Sequence, residues 1–296
     1  MRGVSVRESV KFGFRSFFKH ILFFLGTSIV SVLAWFAGLL CSALVALPFF
    51  IPVMRIVGKL KEVFAELKAV APVVAKSGMP VKPEIKLALE RVLDLASKNP
   101  YALGFAAFGV VVFILCMWAV SMMLTMGWIR ISLDIKDTGS GSVRTLFVRP
   151  GVVIRALIIT ILSFLIIVTP WVLSAALFRL NVVLGAIAIT CSLFATIYLG
   201  LKLAFSLWFL SDRNLGTFES IKASFGLRNG PLNVFLMMLL FAAVTILIGM
   251  ITNTLFWLVP SQLVISVLGL FVQFIISIAS IMAFAYLYRG LLMRNK

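Results

Sequence analysis

Six runs of this chain are long and apolar enough to cross a bilayer: residues 21–46, 101–128, 156–178, 183–210, 234–259 and 263–288. Each supplies the roughly 20 apolar residues that a helix needs to span a hydrocarbon core. With no water at that depth, every backbone N–H and C=O must bond within its own segment, so the runs are helices. The expected fold is therefore all-α: a polytopic transmembrane bundle of six spans, arranged as three hairpins.

Composition agrees. Hydrophobic residues are 62% of the chain, against about 45–50% in a soluble domain. Charged residues are only 12%, and most lie between the apolar runs. The formal charge is +17, from 27 Lys and Arg against 10 Asp and Glu. In a soluble protein such an excess points to nucleic acid. Here no soluble stretch carries a basic groove with interleaved aromatics, so no nucleic-acid partner is expected. The excess fits membrane flanks facing anionic lipid. Cys41, Cys116 and Cys191 each fall inside an apolar run without paired spacing, and read as small buried hydrophobes. His20 is the single histidine, which excludes a multi-His metal site. The first apolar run is too long for a signal peptide and is followed by a second span, so an uncleaved first helix is expected.

Basic flanks set the orientation. With the N-terminus inside, the inner side carries Arg2, Arg7, Lys11, Arg15 and Lys19, then Arg130, Lys136, Arg144, Arg149 and Arg155. Lys202, Arg213, Lys222, Arg228, Arg289, Arg294 and Lys296 follow. The outer loop after the third span has only Arg179, and the turn Pro260-Ser261-Gln262 has no base. Both termini are therefore expected in the cytoplasm. Trp128 and Trp208 fall at expected inner ends and Trp257 at an outer end, as interface anchors.

Residues 55–100 fit this scheme least, because they would be external yet hold nine Lys and Arg. They carry two amphipathic patterns, Ile56, Leu60, Val63, Phe64 and Leu67 on one face, and Ile85, Leu89, Val92 and Ala96 on another. Pro80 and Pro83 separate them. An amphipathic helical insertion on the outer leaflet or capping the bundle is expected. In the rival arrangement, Pro48 and Pro52 turn the run 21–54 into a re-entrant hairpin and leave 55–100 inside.

Three segments before spans share a pattern: ESVKFGFRSFFKHILFF from Glu8, GSVRTLFVRPGVVIRALIITI from Gly141 and ESIKASFGLRNGPLNVFLMML from Glu219. Each reads Ser, then Val or Ile, then a base: Ser9-Val10-Lys11, Ser142-Val143-Arg144, Ser220-Ile221-Lys222. A second base follows in each, at Arg15, Arg149 or Arg228. Either the chain is a threefold repeat of parallel hairpins, or interfacial basic helices simply look alike. Residues 1–20 are the clearest case. Arg7, Lys11, Arg15 and Lys19 recur every four residues, while Val6, Val10, Phe14, Phe17 and Phe18 occupy the rest. That is the pattern of a helix lying in the headgroup layer, bases toward phosphate and Phe toward acyl chains.

The run SIKASFGLRNGPLNVFLMMLL (220–240) resembles the Ser-(Phe/Trp)-x-Leu-x-x-Gly pattern of a bacterial six-helix membrane family of unknown function. That family is the YciC-like inner-membrane proteins, similar to the membrane domain fused to some glycerophosphodiester phosphodiesterases. The matching positions are Ser224, Phe225, Leu227 and Gly230; Pro231 stands where an aromatic is usual. MGWIRISLDIKDTGSGSVRTLF (126–147) is similar to a second stretch of the family. Together they cover about a sixth of the chain. The resemblance implies a single integral membrane domain over 1–296 in a bacterial inner membrane. No phosphodiesterase domain occurs in this sequence, so no catalytic residue carries over.

Ionisable residues inside spans are functional candidates. Lys202 is the one such residue here, and it shares a face with Cys191, Ala195, Tyr198 and Ser206. It either holds an anionic group or snorkels to the headgroups. Asn253 and Gln273 are the other intramembrane polar candidates. The small and polar stripes around them (Thr245, Gly249 and Thr252; Ser266, Gly269 and Ser277) are packing faces or a polar path. Paired acids, a His cluster and a Gly-rich phosphate loop are all missing, so no enzyme, cofactor or metal is expected. Asp134, Asp137, Asp212 and Glu219 are expected to be solvated or to cap helices. The expected role is a non-enzymatic, lipid-engaging module supporting envelope or membrane-protein organisation. Its headgroup contacts would be Arg7, Lys11, Arg15, Lys19, Arg149, Lys222 and Arg228. Its partners would be anionic phospholipid and a separately encoded protein. The alternative is a small-solute or lipid transporter or channel, with Lys202, Asn253 and Gln273 converging on a cavity.

Overall fold

The computed structural model describes residues 5–77, 100–227, 230–258 and 262–294, with only the backbone described for 53, 55–77, 103, 253, 255–258, 262–265 and 294. Among these residues every regular element is a helix. They are α1 (Val6–Lys19), α2 (Ile21–Ser77), α3 (Pro100–Thr138), a 3₁₀ turn (Val143–Leu146), α4 (Pro150–Leu180), α5 (Val182–Leu203), α6 (Ser206–Arg213), α7 (Thr217–Phe225), α8 (Gly230–Leu258) and α9 (Gln262–Arg294).

Six stretches are long and apolar enough to cross a membrane: Ile21–Pro52, Pro100–Thr138, Pro150–Leu180, Val182–Arg213, Gly230–Thr252 and Ser266–Met293. Between 6% and 28% of each apolar window is buried inside the protein. The rest of those faces would lie bare in water, at about 25 cal/mol for every Å². Lipid is the solvent that removes that cost, and the chain is a multi-pass membrane protein.

Two expected boundaries move. α2 runs on through Pro48 and Pro52 to Ser77, 57 residues in all, or roughly 85 Å at 1.5 Å per residue. The chain does not turn back at those prolines, and the first amphipathic pattern of the 55–100 insertion is the far part of α2, not a separate helix. The second pattern lies largely outside the described residues. The fourth span is also not one helix. It breaks at Ala204-Phe205, where the Ser206 hydroxyl bonds the Leu203 carbonyl at 2.7 Å.

The chain divides into two compact units, Leu33–Val120 and the remainder. The first is the α2–α3 hairpin. Its helices are antiparallel, since Gly38 meets Val120 and the Phe49 ring meets Phe108 at 5.0 Å. In the second unit α4 and α5 form another antiparallel hairpin. The Ser174 and Ser192 hydroxyls lie 2.5 Å apart, both reach the Pro170 carbonyl, and Trp171 donates to Thr196 at 2.7 Å. Pro170 sits inside α4, and its carbonyl is where the two helices are tied. α8 and α9 make the third pair.

The second unit buries its residues at the basic ends of its helices. α9 shows this most clearly. Phe271 and Gln273 are exposed, but from Ile276 onward Ala279, Met282, Ala283, Leu287 and Tyr288 are all buried. A core of Phe17, Phe24, Ile131, Ile135, Leu146, Ile278 and Met282 joins α1, α2, α3, the 3₁₀ turn and α9. Trp208 is buried in this layer beside Phe205 and Tyr288, rather than anchoring at an exposed interface. The side chain of Trp257 and residues 259–261 lie outside the described residues. Cys41 and Cys191 are exposed, not buried, and all three cysteines are free.

α1 departs most from its expected placement. Its buried face is Ser9, Gly13, Ser16 and Phe17, and it lies against α9. Contacts run in opposite senses: Phe12 meets Tyr286, Gly13 meets Ala279 and Ala283, and Phe17 meets Phe274. Ser9-x-x-x-Gly13 faces Ala279-x-x-x-Ala283, a small-residue contact on both helices that lets backbones approach closely. A Cβ at Gly13 would sit 2.3 Å from the Ala279 carbonyl oxygen. Phe17 is fully buried instead of facing acyl chains. Gly127 has the same role on α3, where a Cβ would meet the Leu146 backbone at 2.3 Å. Replacing Gly13 by Leu should lower unfolding stability by about 1–3 kcal/mol through overpacking, seen as an earlier thermal midpoint in mild detergent. An unchanged midpoint would refute the close contact.

Candidate membrane-surface interface

The small face of α1 fixes which way its bases point. Arg7, Lys11, Arg15 and Lys19 are all exposed, and among the described residues none has an ion-pair partner. Like charges four residues apart on a helix repel one another by about 0.2–0.5 kcal/mol per pair. Glu8 is exposed on the same helix, and among the described residues no acid forms an ion pair with the four bases. His20 ends α1, its backbone N–H donating to the Ser16 and Phe17 carbonyls. Partial burial and the adjacent Lys19 charge hold its imidazole below the ordinary histidine value.

The other two Ser-Val/Ile-base segments are not copies of α1. In the third, α7 is a helix whose Ser220 is fully buried and whose Lys222 is exposed, repeating the inward Ser9 and outward Lys11. In the second, Ser142 instead caps a single 3₁₀ turn by accepting from the Arg144 N–H. Arg144 and Arg149 are exposed there, with Arg149 at the N-cap of α4. The chemistry of base-outward segments recurs while the secondary structure does not. Arg228 lies outside the described residues.

Sequence reasoning missed the groups that hold this layer together. Arg289 on α9 makes paired hydrogen bonds to two acids at once. Nη1 and Nη2 reach the Asp212 oxygens of α6 at 2.7 and 2.8 Å, while Nε donates to Asp137 of α3 at 3.1 Å and Nη2 also contacts that carboxylate. The buried Tyr288 hydroxyl donates to Asp212 at 3.1 Å. Fork-to-fork pairing of this kind fixes geometry as well as energy. One turn away, the Lys136 ammonium lies 5.4 Å from the Phe12 ring and 4.9 Å from the Tyr286 ring, a cation–π contact joining α3, α1 and α9. Asp137 and Asp212 are thus ion-pair partners rather than caps; Asp137 is also exposed, as expected, while Asp212 is largely enclosed. Glu219 does cap: its carboxylate accepts from the Gly216 N–H at 3.1 Å.

Lys202 is tied to its neighbouring helix. Its ammonium donates to the Phe225 carbonyl at 2.9 Å, and the Ser224 hydroxyl donates back to the Lys202 carbonyl at 2.6 Å. A cation there satisfies a carbonyl orphaned at the C-terminal end of α7 and suits that helix's dipole. Gln273 is exposed on α9, and the side chain of Asn253 lies outside the described residues. Thr245, Thr252 and Ser277 each bond a carbonyl of their own helix four residues back. Among the described residues no group of three His, Cys, Asp or Glu is placed to hold a metal ion.

Asp212 is the more enclosed acid, with a side chain 13% exposed against 42% for Asp137. Asp212→Asn should therefore destabilise by about 1–3 kcal/mol, the worth of a charged hydrogen-bond pair. Asp137→Asn should cost less than about 1 kcal/mol, as exposed pairs do. Thermal melting of the two variants checks the order, and the reverse order would contradict the arrangement.

No family model, curated protein or solved structure matches this chain.

Proposed function

We propose that this protein is a non-enzymatic module of a bacterial inner membrane that engages anionic phospholipid and supports envelope or membrane-protein organisation. The observation that carries the reading is the α1 stripe. One face of α1 is docked on α9, and Arg7, Lys11, Arg15 and Lys19 on the other face are exposed, with no ion-pair partner among the described residues. Arg144, Arg149, Arg155 and Lys222 add exposed bases on the same unit. Each Lys or Arg near an anionic leaflet contributes about 1 kcal/mol. The inner leaflet carries that charge, which favours both termini in the cytoplasm. The YciC-like resemblance around Ser224, Phe225, Leu227 and Gly230 belongs to the same proposal.

A transporter would need polar groups gathered at membrane depth. Lys202 instead ties α5 to α7 and Gln273 is exposed, so the lipid-engaging reading accounts for more of the bases. The test is a fourfold variant, Arg7→Gln, Lys11→Gln, Arg15→Gln and Lys19→Gln. Phosphatidylglycerol retained through purification in mild detergent should fall severalfold, while retained phosphatidylcholine should not change. Equal anionic-lipid retention by both proteins would end the proposal. A fluorescent protein fused after Lys296 should fluoresce, and a dark fusion would reverse the proposed orientation.

A further inference from the structure

Among the described residues of the larger unit, one cleft has a cation at its edge. Val6 and Val10 of α1 and Leu236, Leu239, Leu240 and Ala243 of α8 line an apolar groove of about 510 Å³, and Arg7 completes it. α8 carries no charged residue from Gly230 to Leu258, so α1 provides the groove's charge. Glu8 is exposed and is not among the lining residues. A second cleft, of about 360 Å³ beside Trp128 and Trp208, has no charged lining group.

We infer that the α1–α8 groove binds one anionic phospholipid, an acyl chain lying along α8 and the phosphate paired with Arg7. The inference rests on the lipid-engaging reading and narrows it to a site. An apolar slot of this size falls within the range of ligand pockets, which hold an apolar body and fix it by a few polar groups. Charge complementarity selects the headgroup. Arg7 has no acid partner among the described residues, its guanidinium matches phosphate in a bidentate fork, and Lys11 follows one turn on. The chain is selected by the lining. Leu239 is 55% exposed and Leu236 43% exposed, and the groove is held open because α1 is fixed on α9 through Gly13.

The experiment is native mass spectrometry of the full chain in mild detergent, titrated separately with phosphatidylglycerol and phosphatidylcholine. The wild type should bind its first phosphatidylglycerol at least tenfold more tightly than phosphatidylcholine. Arg7→Gln should erase that preference while leaving chain binding. Leu239→Trp, which fills the slot from a half-exposed position, should remove the first lipid of either kind, and Ala243→Phe is a second filling variant. Unchanged helical circular dichroism and melting establish that each variant folds. Lys11→Gln with Arg15→Gln and Lys19→Gln should weaken later lipids and spare the first. If the filling variants and Arg7→Gln keep the first lipid while the triple variant loses lipid, the groove is overturned and the surface reading stands. If no protein prefers phosphatidylglycerol, both fall.

Discussion

Gly13 has no room for a side chain, and the arrangement of the basic layer follows from that. A backbone-close contact between Ser9-x-x-x-Gly13 and Ala279-x-x-x-Ala283 holds α1 along α9. Lipid is as apolar as leucine, so helices in it gain little from burying leucines against each other, and close packing of small residues does more. With the small face committed, helical periodicity leaves Arg7, Lys11, Arg15 and Lys19 facing outward. The same contact sets one wall of the groove against α8.

α9 is the element through which the layer is assembled. It receives α1 on one side, and Arg289 draws in α3 through Asp137 and α6 through Asp212. A half-buried guanidinium with two carboxylates carries a desolvation cost that its hydrogen bonds must offset, so such a group acts more to fix an arrangement than to add net stability. Lys202 and Ser224 do the equivalent work between α5 and α7. These two polar ties, with the Lys136 cation–π contact, place α6 and α7 beside the ends of the spans. The Ser174–Ser192 pair plays that part inside the α4–α5 hairpin.

Hydropathy made the six spans legible, because a run of about 20 apolar residues has few other uses. It could not show the break at Ala204-Phe205, where the sequence stays apolar on both sides and only a hydroxyl-to-carbonyl bond marks the turn. Nor could it show that Phe17 is core, since α1 packs through serines and a glycine that no hydrophobic pattern picks out. The Arg289 cluster joins residues 77 and 152 positions apart, a separation beyond any local rule. A signal was nonetheless present: the chain has only 10 acids, and two of them end segments that flank spans. Lys202 was found as the intramembrane cation, but its partner is a backbone carbonyl, which sequence does not display. The base-outward chemistry of the three Ser-Val/Ile-base segments was legible; that the second is a 3₁₀ turn was not.

α1 is docked on α9, and we propose that its bases lie at the lipid surface. The most direct measurement places a nitroxide at Lys11→Cys, with the native cysteines replaced, and reads its depth in a phosphatidylglycerol bilayer by electron paramagnetic resonance. The label should sit at headgroup depth, with collision rates for oxygen and for a water-soluble nickel chelate both intermediate, and should keep one distance to a second label at Met293→Cys. A label freely reached by the nickel chelate, with a broad distance distribution to α9, would contradict it.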